Sequence, residues 1–214
     1  MKTKTKTKNH PLNNSWTLSL KLKSAQKHTA SEEDWLAEYK KIYDFKTIEM
    51  FWRVYNNIPR WVELPFGHTY AYFKNNIKPS WEDPRNSHGF SMVLHLNKKM
   101  GMAVEACKNL ERDAAMFMIG ETVPDCNLIN GITLERRYHN KIVIWCTYPE
   151  KTRDFRTLSA MANSYMRGIG LSPKSFTILQ KNDKLTDPKF SKFSIMIKFV
   201  DHQKELKYNQ EPKQ

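Results

Sequence analysis

The sequence predicts an α+β domain in which helices cover one side of an antiparallel sheet. Period-two segments recur along its 214 residues, a helical period appears in only three stretches, and irregular loops join the strands. "WTLSLKL" (16–22) alternates apolar and polar residues and reads as a half-buried strand. In "KTIEMFWRVYNNI" (46–58), Ile48, Phe51, Trp52 and Tyr55 stand at i, i+3, i+4 and i+7 behind Thr47, a suitable N-cap, so a helix is expected. "TYAYFK" (69–74) and "FSMVLHLN" (90–97) return to strand character. A second helix runs from 102 to 119 through Val104, Cys107, Ala114, Phe117 and Met118, with Gly120 as its stop. "ITLERR" (132–137) and "KIVIWCTY" (141–148) flank the polar "YHN" and predict a hairpin. "DFRTLSAMANSYMRG" (154–168) predicts the third helix, with Phe155, Leu158, Met161, Ala162 and Tyr165 inward, and "SFTILQ" (175–180) and "FSIMIKFV" (193–200) close the sheet.

Composition narrows the function classes. One domain is expected at 10–200, between a basic flexible arm (1–9, "MKTKTKTKN") and a polar flexible tail (201–214). No apolar run approaches the roughly 20 residues of a membrane helix, and no apolar stretch follows the lysine-rich start as a secretory signal requires. Cys107, Cys126 and Cys146 are odd in number and widely spaced, which implies a reducing compartment rather than a disulfide or zinc framework. A formal charge of +13 favours polyanionic partners such as RNA. The seven histidines show no metal-ligand spacing, no glycine-rich phosphate loop or nucleophile elbow occurs, and only 7 glycines are available for backbone cradles. Neither catalytic residues nor a metal or cofactor is expected.

Tryptophans carry the functional signal. Trp81 stands beside Glu82 and Asp83 in "IKPSWED" (77–83), and Trp35 lies among charges in "SEEDWLAEYKK" (31–41); both read as loop residues. Two parallel indole faces can hold a flat ligand. A cationic ligand gains a cation–π contribution of about 2 kcal/mol per desolvated face, and base stacking on an aromatic contributes about 1–3 kcal/mol. A nearby carboxylate that accepts the ligand's N–H edge adds about 1.5–3 kcal/mol. Trp81 is thus a candidate for stacking and Glu82 for reading an edge.

These residues resemble the eukaryotic translation initiation factor 4E family of mRNA cap-binding proteins. The resemblance rests on "HPLNNSW" (10–16), "FKTIEMFWRVYNNI" (45–58), "IKPSWED" (77–83), "IGE" (119–121), "NGITLERR" (130–137) and "KIVIW" (141–145), in family order. It implies a cupped antiparallel sheet of about eight strands with three helices on its convex face. The concave slot would take 7-methylguanosine linked to a triphosphate, whose N7 methyl leaves the purine positively charged. By alignment Trp35 and Trp81 sandwich the base; Trp35 keeps the family's spacing of 17 residues before Trp52. Glu82 accepts the base's N1 and N2 hydrogens, Trp145 abuts the methyl group, and Asp83 is structural. Arg137 and Lys141 match the pair that binds the cap phosphates, with Arg136 as a rival. Of the two arginines strand alternation lets one face the slot, and register from Gly131 favours Arg137. His10, Pro11, Ile48 and Trp52 match the convex surface that binds a Tyr-x4-Leu-hydrophobic helix of the scaffold factor 4G or of a repressor.

Two departures stand out. Ser91 occupies the place of a basic residue that usually orients the acidic and phosphate groups. Glu111 and Arg112 align with an apolar pair of the convex surface, which predicts a groove interrupted by charge and a different scaffold or a dedicated repressor as partner. Lys181, Lys184, Lys189 and Lys192 form a basic strip, read either as a solvated loop or as a contact for further nucleotides. The expected function is that of a cytoplasmic, monomeric, noncatalytic factor that couples capped mRNA to partners, as activator or repressor of translation. The competing reading is a single-stranded RNA-binding module of the same fold without cap selectivity; a cap hydrolase is the weakest alternative.

Overall fold

The computed structural model describes residues 9–23, 32–96, 104–122, 125–149 and 153–210. Its strands are β1 (Pro11–Lys21), β2 (Tyr39–Thr47), β3 (Thr69–Lys74), β4 (Gly89–Leu96), β5 (Ile129–Glu135), β6 (Lys141–Thr147), β7 (Phe176–Ile178) and β8 (Ile195–Asp201). The helices are α1 (Glu32–Ala37), α2 (Ile48–Tyr55), α3 (Val104–Gly120), α4 (Phe155–Gly168) and α5 (His202–Gln210). The strands form one curved sheet in the order β2-β1-β3-β5-β6-β4-β8-β7. Neighbours are antiparallel except β7 and β8, which pair in parallel.

Alternation along the strands feeds two different surfaces. Trp16 and Leu18 of β1, Tyr70 and Tyr72 of β3, Met92 and Leu94 of β4, and Ile142 and Ile144 of β6 face α2, α3 and α4 and form the main core. Ala71, Phe73, Val143 and Trp145 point to the opposite, concave face and form a smaller cluster with Tyr39, Ile77, Trp81 and Val93. α2 starts after Thr47 as the sequence predicts, and α4 starts one residue into its predicted stretch. Thr47 Oγ1 accepts the Met50 N–H at 3.2 Å, and Asp154 Oδ1 accepts the Thr157 N–H at 2.8 Å, caps that contribute about 1 kcal/mol each. A Cβ on Gly168 would lie 1.7 Å from the Phe117 ring, so this glycine permits the close approach of α3 and α4.

The "IGE" motif is structural. Gly120 ends α3, and the buried Glu121 carboxylate accepts from Asn14 at 2.8 Å and pairs with Lys74. The three cysteines are free, Cys107 and Cys146 in the core.

Several elements differ from the sequence expectation. β2 was not foreseen, because this edge strand buries only Phe45 and so shows no clear alternation. Trp35 sits on helix α1 rather than on a loop. Two helices, α1 and α5, are added to the three expected. Phe155, the first residue of α4, is 44% exposed rather than inward, and meets the Phe199 ring of β8 edge-on at 6.0 Å. The polar stretch expected as a flexible tail instead completes β8 and forms α5, with His202 fully buried. Residues 1–8 of the expected basic arm and 211–214 of the tail lie outside the described residues.

Glu111 is also misplaced by the sequence reading. Its side chain is fully buried beneath Trp61 instead of facing the convex surface, because α3 turns this position toward the sheet. One carboxylate oxygen accepts the Trp61 N–H at 3.2 Å, while Oε1 has no hydrogen-bond partner. Burial pushes its pKa up to about 7, against the opposing pull of the Trp61 N–H and the Arg60 charge. The folded-state value lies above the unfolded one, so this group's contribution is fully present below about pH 4.5 and is lost as pH rises through about 7. Glu111→Gln is therefore expected to gain about 2–3 kcal/mol over the parent at pH 8 and little at pH 5. Urea denaturation at both pH values tests this; parallel pH profiles for the two proteins would place the dependence on another group.

Candidate functional site: a concave slot backed by a convex groove

The strand register lays out the concave face in rows. Thr17, Phe73, Gly131, Trp145, Ser91 and Val200 stand side by side in one row. Lys21, Thr69, Glu135, Lys141 and His95 form another, four residues away along each strand, a separation of roughly 13 Å. The first row is apolar and aromatic: Phe73 meets Trp145 edge-on at 5.5 Å. Gly131 makes room for this contact, because a Cβ there would lie 2.5 Å from the Phe73 ring. The second row is charged. Polarity thus changes from one end of the slot to the other.

Trp81 and Glu82 reach the apolar end from the loop between β3 and β4, which is held from beneath by side-chain bonds. Asp83 is buried and accepts the Lys78 and Arg85 N–H groups at 2.8 and 2.9 Å. Asn86 donates to the Lys78 and Ser80 carbonyls at 2.8 and 2.9 Å, and buried Asn130 of β5 donates to the Arg85 carbonyl at 2.8 Å. With its neighbours fixed, the loop presents Trp81 half-buried against the concave cluster and leaves Glu82 exposed. Trp35 comes from α1, and its indole N–H donates to the Pro79 carbonyl of the same loop at 3.2 Å.

A buried lysine belongs to this wall. Lys21 Nζ lies 2.7 Å from the centre of the Trp35 ring and 3.0 Å from Glu38 Oε2. Burial pushes the Lys21 ammonium below its ordinary pKa, against the opposing pull of Glu38. One indole face therefore already carries a cation of the protein's own.

At the charged end, Lys141 faces the slot beside Glu135 in the register. Arg137 Nη1 donates to the Gly67 carbonyl at 2.6 Å, and its Nε lies 3.4 Å from Glu135. Arg136 sits over the Phe66 ring at 4.3 Å, and its charge reaches the Cys107 thiol of α3 on the helix side. His95 is pushed down to about 4 by burial and by the charges of Lys141 and Lys198, so the rim is a positive field around a neutral imidazole. Among the lysines of the basic strip, Lys189 is paired with Asp183 and Asp187 at 2.8 and 3.4 Å.

On the opposite side, Leu12, Ile48, Trp52, Met116 and Phe117 line a groove of about 470 Å³. Ile48 and Met116 are 43% and 44% exposed, leaving apolar surface open to solvent. His10 and Pro11 do not line this groove. His10 instead braces α2: its carbonyl accepts the Ile48 N–H at 3.0 Å, and its ring nitrogen lies 2.6 Å from Glu49. The expected charge pair is also absent from the groove. Glu111 points into the core, and Arg112 pairs with Asp113, whose side chain reaches the groove wall.

Sequence reasoning missed Lys21, Lys198, Asn86 and Asn130. Lys198 was within reach, since it interrupts the apolar run from Ile195 to Val200 and shares the concave face with Val93. Nothing local marks the two asparagines, whose role depends on segments 44 residues apart.

Residues 11–211 match the family model described as Eukaryotic initiation factor 4E. The translation initiation factor 4E of Candida albicans is 36% identical over 138 residues, which cover 64% of this chain and 64% of that protein. The human factor is 31% identical over 170 residues, covering 77% of this chain and 72% of that one. The chain thus spans a little under two thirds of the Candida relative's length. Among solved structures, a schistosome eIF4E complexed with m7GpppA and 4E-BP superposes with a TM-score of 0.63 at 26% identity, covering 77% of this chain and 84% of that one. C. elegans eIF4E-3 in complex with the 4E-binding protein Mextli shares the fold, with a TM-score of 0.66 at 21% identity over 94% and 97% of the two chains. With a family model spanning nearly all of its described residues, the chain belongs to the eukaryotic initiation factor 4E family.

Proposed function

We propose that this chain binds the 7-methylguanosine cap of mRNA in its concave slot and couples it, through the convex groove, to a scaffold of the 4G type or a 4E-binding repressor. The observation that carries this reading is the polarity change along the slot: an aromatic end with Trp81, Trp145 and exposed Glu82, and a basic end with Lys141 and Arg137. A methylated purine is flat, cationic and able to donate N–H bonds at its edge, whereas its phosphate chain is anionic and extends away from the base. The slot has matching chemistry in that order. In this reading Trp35 and Trp81 clamp the base, Glu82 accepts from N1 and N2, and Trp145 covers the methyl side. Arg137 and Lys141 take the phosphates, while Arg136 is left to support the hairpin.

The groove supports the partner half of the proposal. Its apolar walls, Ile48, Trp52 and Met116, suit an amphipathic helix with Leu and hydrophobic anchors, and the schistosome structure was determined with a 4E-BP. His10 and Pro11 contribute by fixing the start of α2. Among the described residues no group of three or more His, Cys, Asp or Glu side chains is placed to hold a metal, and no helix is long and apolar enough to cross a membrane. The proposed role is that of a noncatalytic, cytoplasmic monomer.

Isothermal titration with 7-methyl-GTP and GTP tests the cap assignment. A preference of at least about tenfold for the methylated nucleotide is expected from the cation–π contribution, and equal affinities would leave only a general RNA-binding module. Trp81→Ala is expected to abolish retention on immobilised cap, while Trp52→Ala leaves it intact and loses the peptide; the reverse pattern would mean that the two faces carry the opposite functions. Lys21→Met is expected to widen the preference for 7-methyl-GTP over GTP by roughly threefold or more, because it removes a positive charge from beside a cationic base. Phosphate attraction cancels in that ratio, so an unchanged ratio would show that Lys21 leaves the stacked face untouched.

A further inference from the structure

His202 opens α5 immediately after Asp201, the β8 residue paired with Phe90, where the chain turns onto the concave face. Its imidazole is fully buried. Nδ1 lies 2.6 Å from the Asn86 carbonyl oxygen, and Nε2 lies 2.7 Å from Ser91 Oγ. A carbonyl carries no proton, so Nδ1–H donates to Asn86; the neutral ring then uses Nε2 to accept from the Ser91 hydroxyl. Burial, which pushes this imidazole below its ordinary pKa, favours the same neutral form.

Both polar partners belong to the slot. Asn86 holds the loop that presents Trp81 and Glu82, and Ser91 is the β4 residue paired with Trp145 of β6. The imidazole ring itself lies 5.1 Å from the centre of Trp145 and 6.4 Å from that of Trp81. One side chain thus contacts both indoles of the apolar end and bonds to the segments that carry them. The histidine reaches them from a different element, the start of α5.

We propose that His202 is a positioning residue for base recognition, setting the relation of Trp81 to Trp145 from behind the slot through its bonds to Asn86 and Ser91. The role rests on the cap-binding reading and deepens it: α5, beyond the last strand, becomes part of the recognition apparatus. His202 does not touch the base in this proposal. It acts through the two indoles and through the backbone of the Trp81 loop.

The test uses the full chain with His202→Ala, His202→Asn and Ser91→Ala, titrated calorimetrically with 7-methyl-GTP and separately with a Tyr-x4-Leu-hydrophobic peptide. His202→Ala is expected to weaken 7-methyl-GTP binding by about tenfold, the worth of one well-made buried hydrogen bond and its packing. Peptide affinity, which reports the convex face and the folded state, is expected to stay within about twofold. His202→Asn keeps a donor near the Asn86 carbonyl and is expected to recover part of the loss, while Ser91→Ala should lose less than His202→Ala. Undiminished cap affinity in His202→Ala overturns the proposal, as do equal losses of cap and peptide binding, which indicate general destabilisation. If the parent chain itself fails to prefer 7-methyl-GTP over GTP, the cap-binding function falls and this role falls with it.

Discussion

The pairing of Phe73 with Gly131, Gly131 with Trp145, and Trp145 with Ser91 is the constraint on which both working surfaces depend. Successive residues of a strand point to opposite faces, so the same register that turns Trp145 into the slot turns Ile144 and Cys146 into the helix-covered core. A slip of one residue in β6 would exchange the two sets and lose both at once. Large apolar side chains on the helix side oppose such a slip, because each of them would have to be exposed. Core packing under α2, α3 and α4 therefore fixes the geometry of the opposite face.

Loop rigidity is achieved differently. The segment carrying Trp81 and Glu82 has no strand partner, and its order comes from polar side chains that bond to its backbone. Asp83, Asn86 and Asn130 are all buried, and each bonds to main-chain groups of the loop. Gly89 completes the arrangement, since a Cβ there would fall 2.2 Å from the Cys146 carbonyl. The exposed carboxylate of Glu82 can thus be held near an aromatic wall without itself contributing to the fold.

Charge is used in two opposed ways. At the slot, Lys141 and Lys198 concentrate positive field around a neutral His95, an arrangement suited to an anionic ligand but repulsive without one. In the core, Glu111 keeps an unpartnered oxygen where an apolar side chain would have cost nothing in desolvation. Lys21 lies between these cases: burial disfavours its charge, Glu38 and the Trp35 face offset only part of that cost, and it stands at the mouth of the site.

Alternation and helical period by themselves determined the strands with one buried face, the three principal helices with the Thr47 cap of the first, and the grouping of aromatic and acidic residues at Trp81 and Glu82. Those features are local: a period or a cap depends on residues within a turn or two of one another. The edge strand β2, the inward turn of Glu111, the seat of Lys21 on Trp35 and the burial of His202 were decided only by the tertiary structure. Each depends on contacts between segments far apart in the chain, 111 residues in the case of His202 and Ser91. A histidine in a polar stretch carries no sign of burial until the sheet has brought Ser91, Asn86 and two indoles around it.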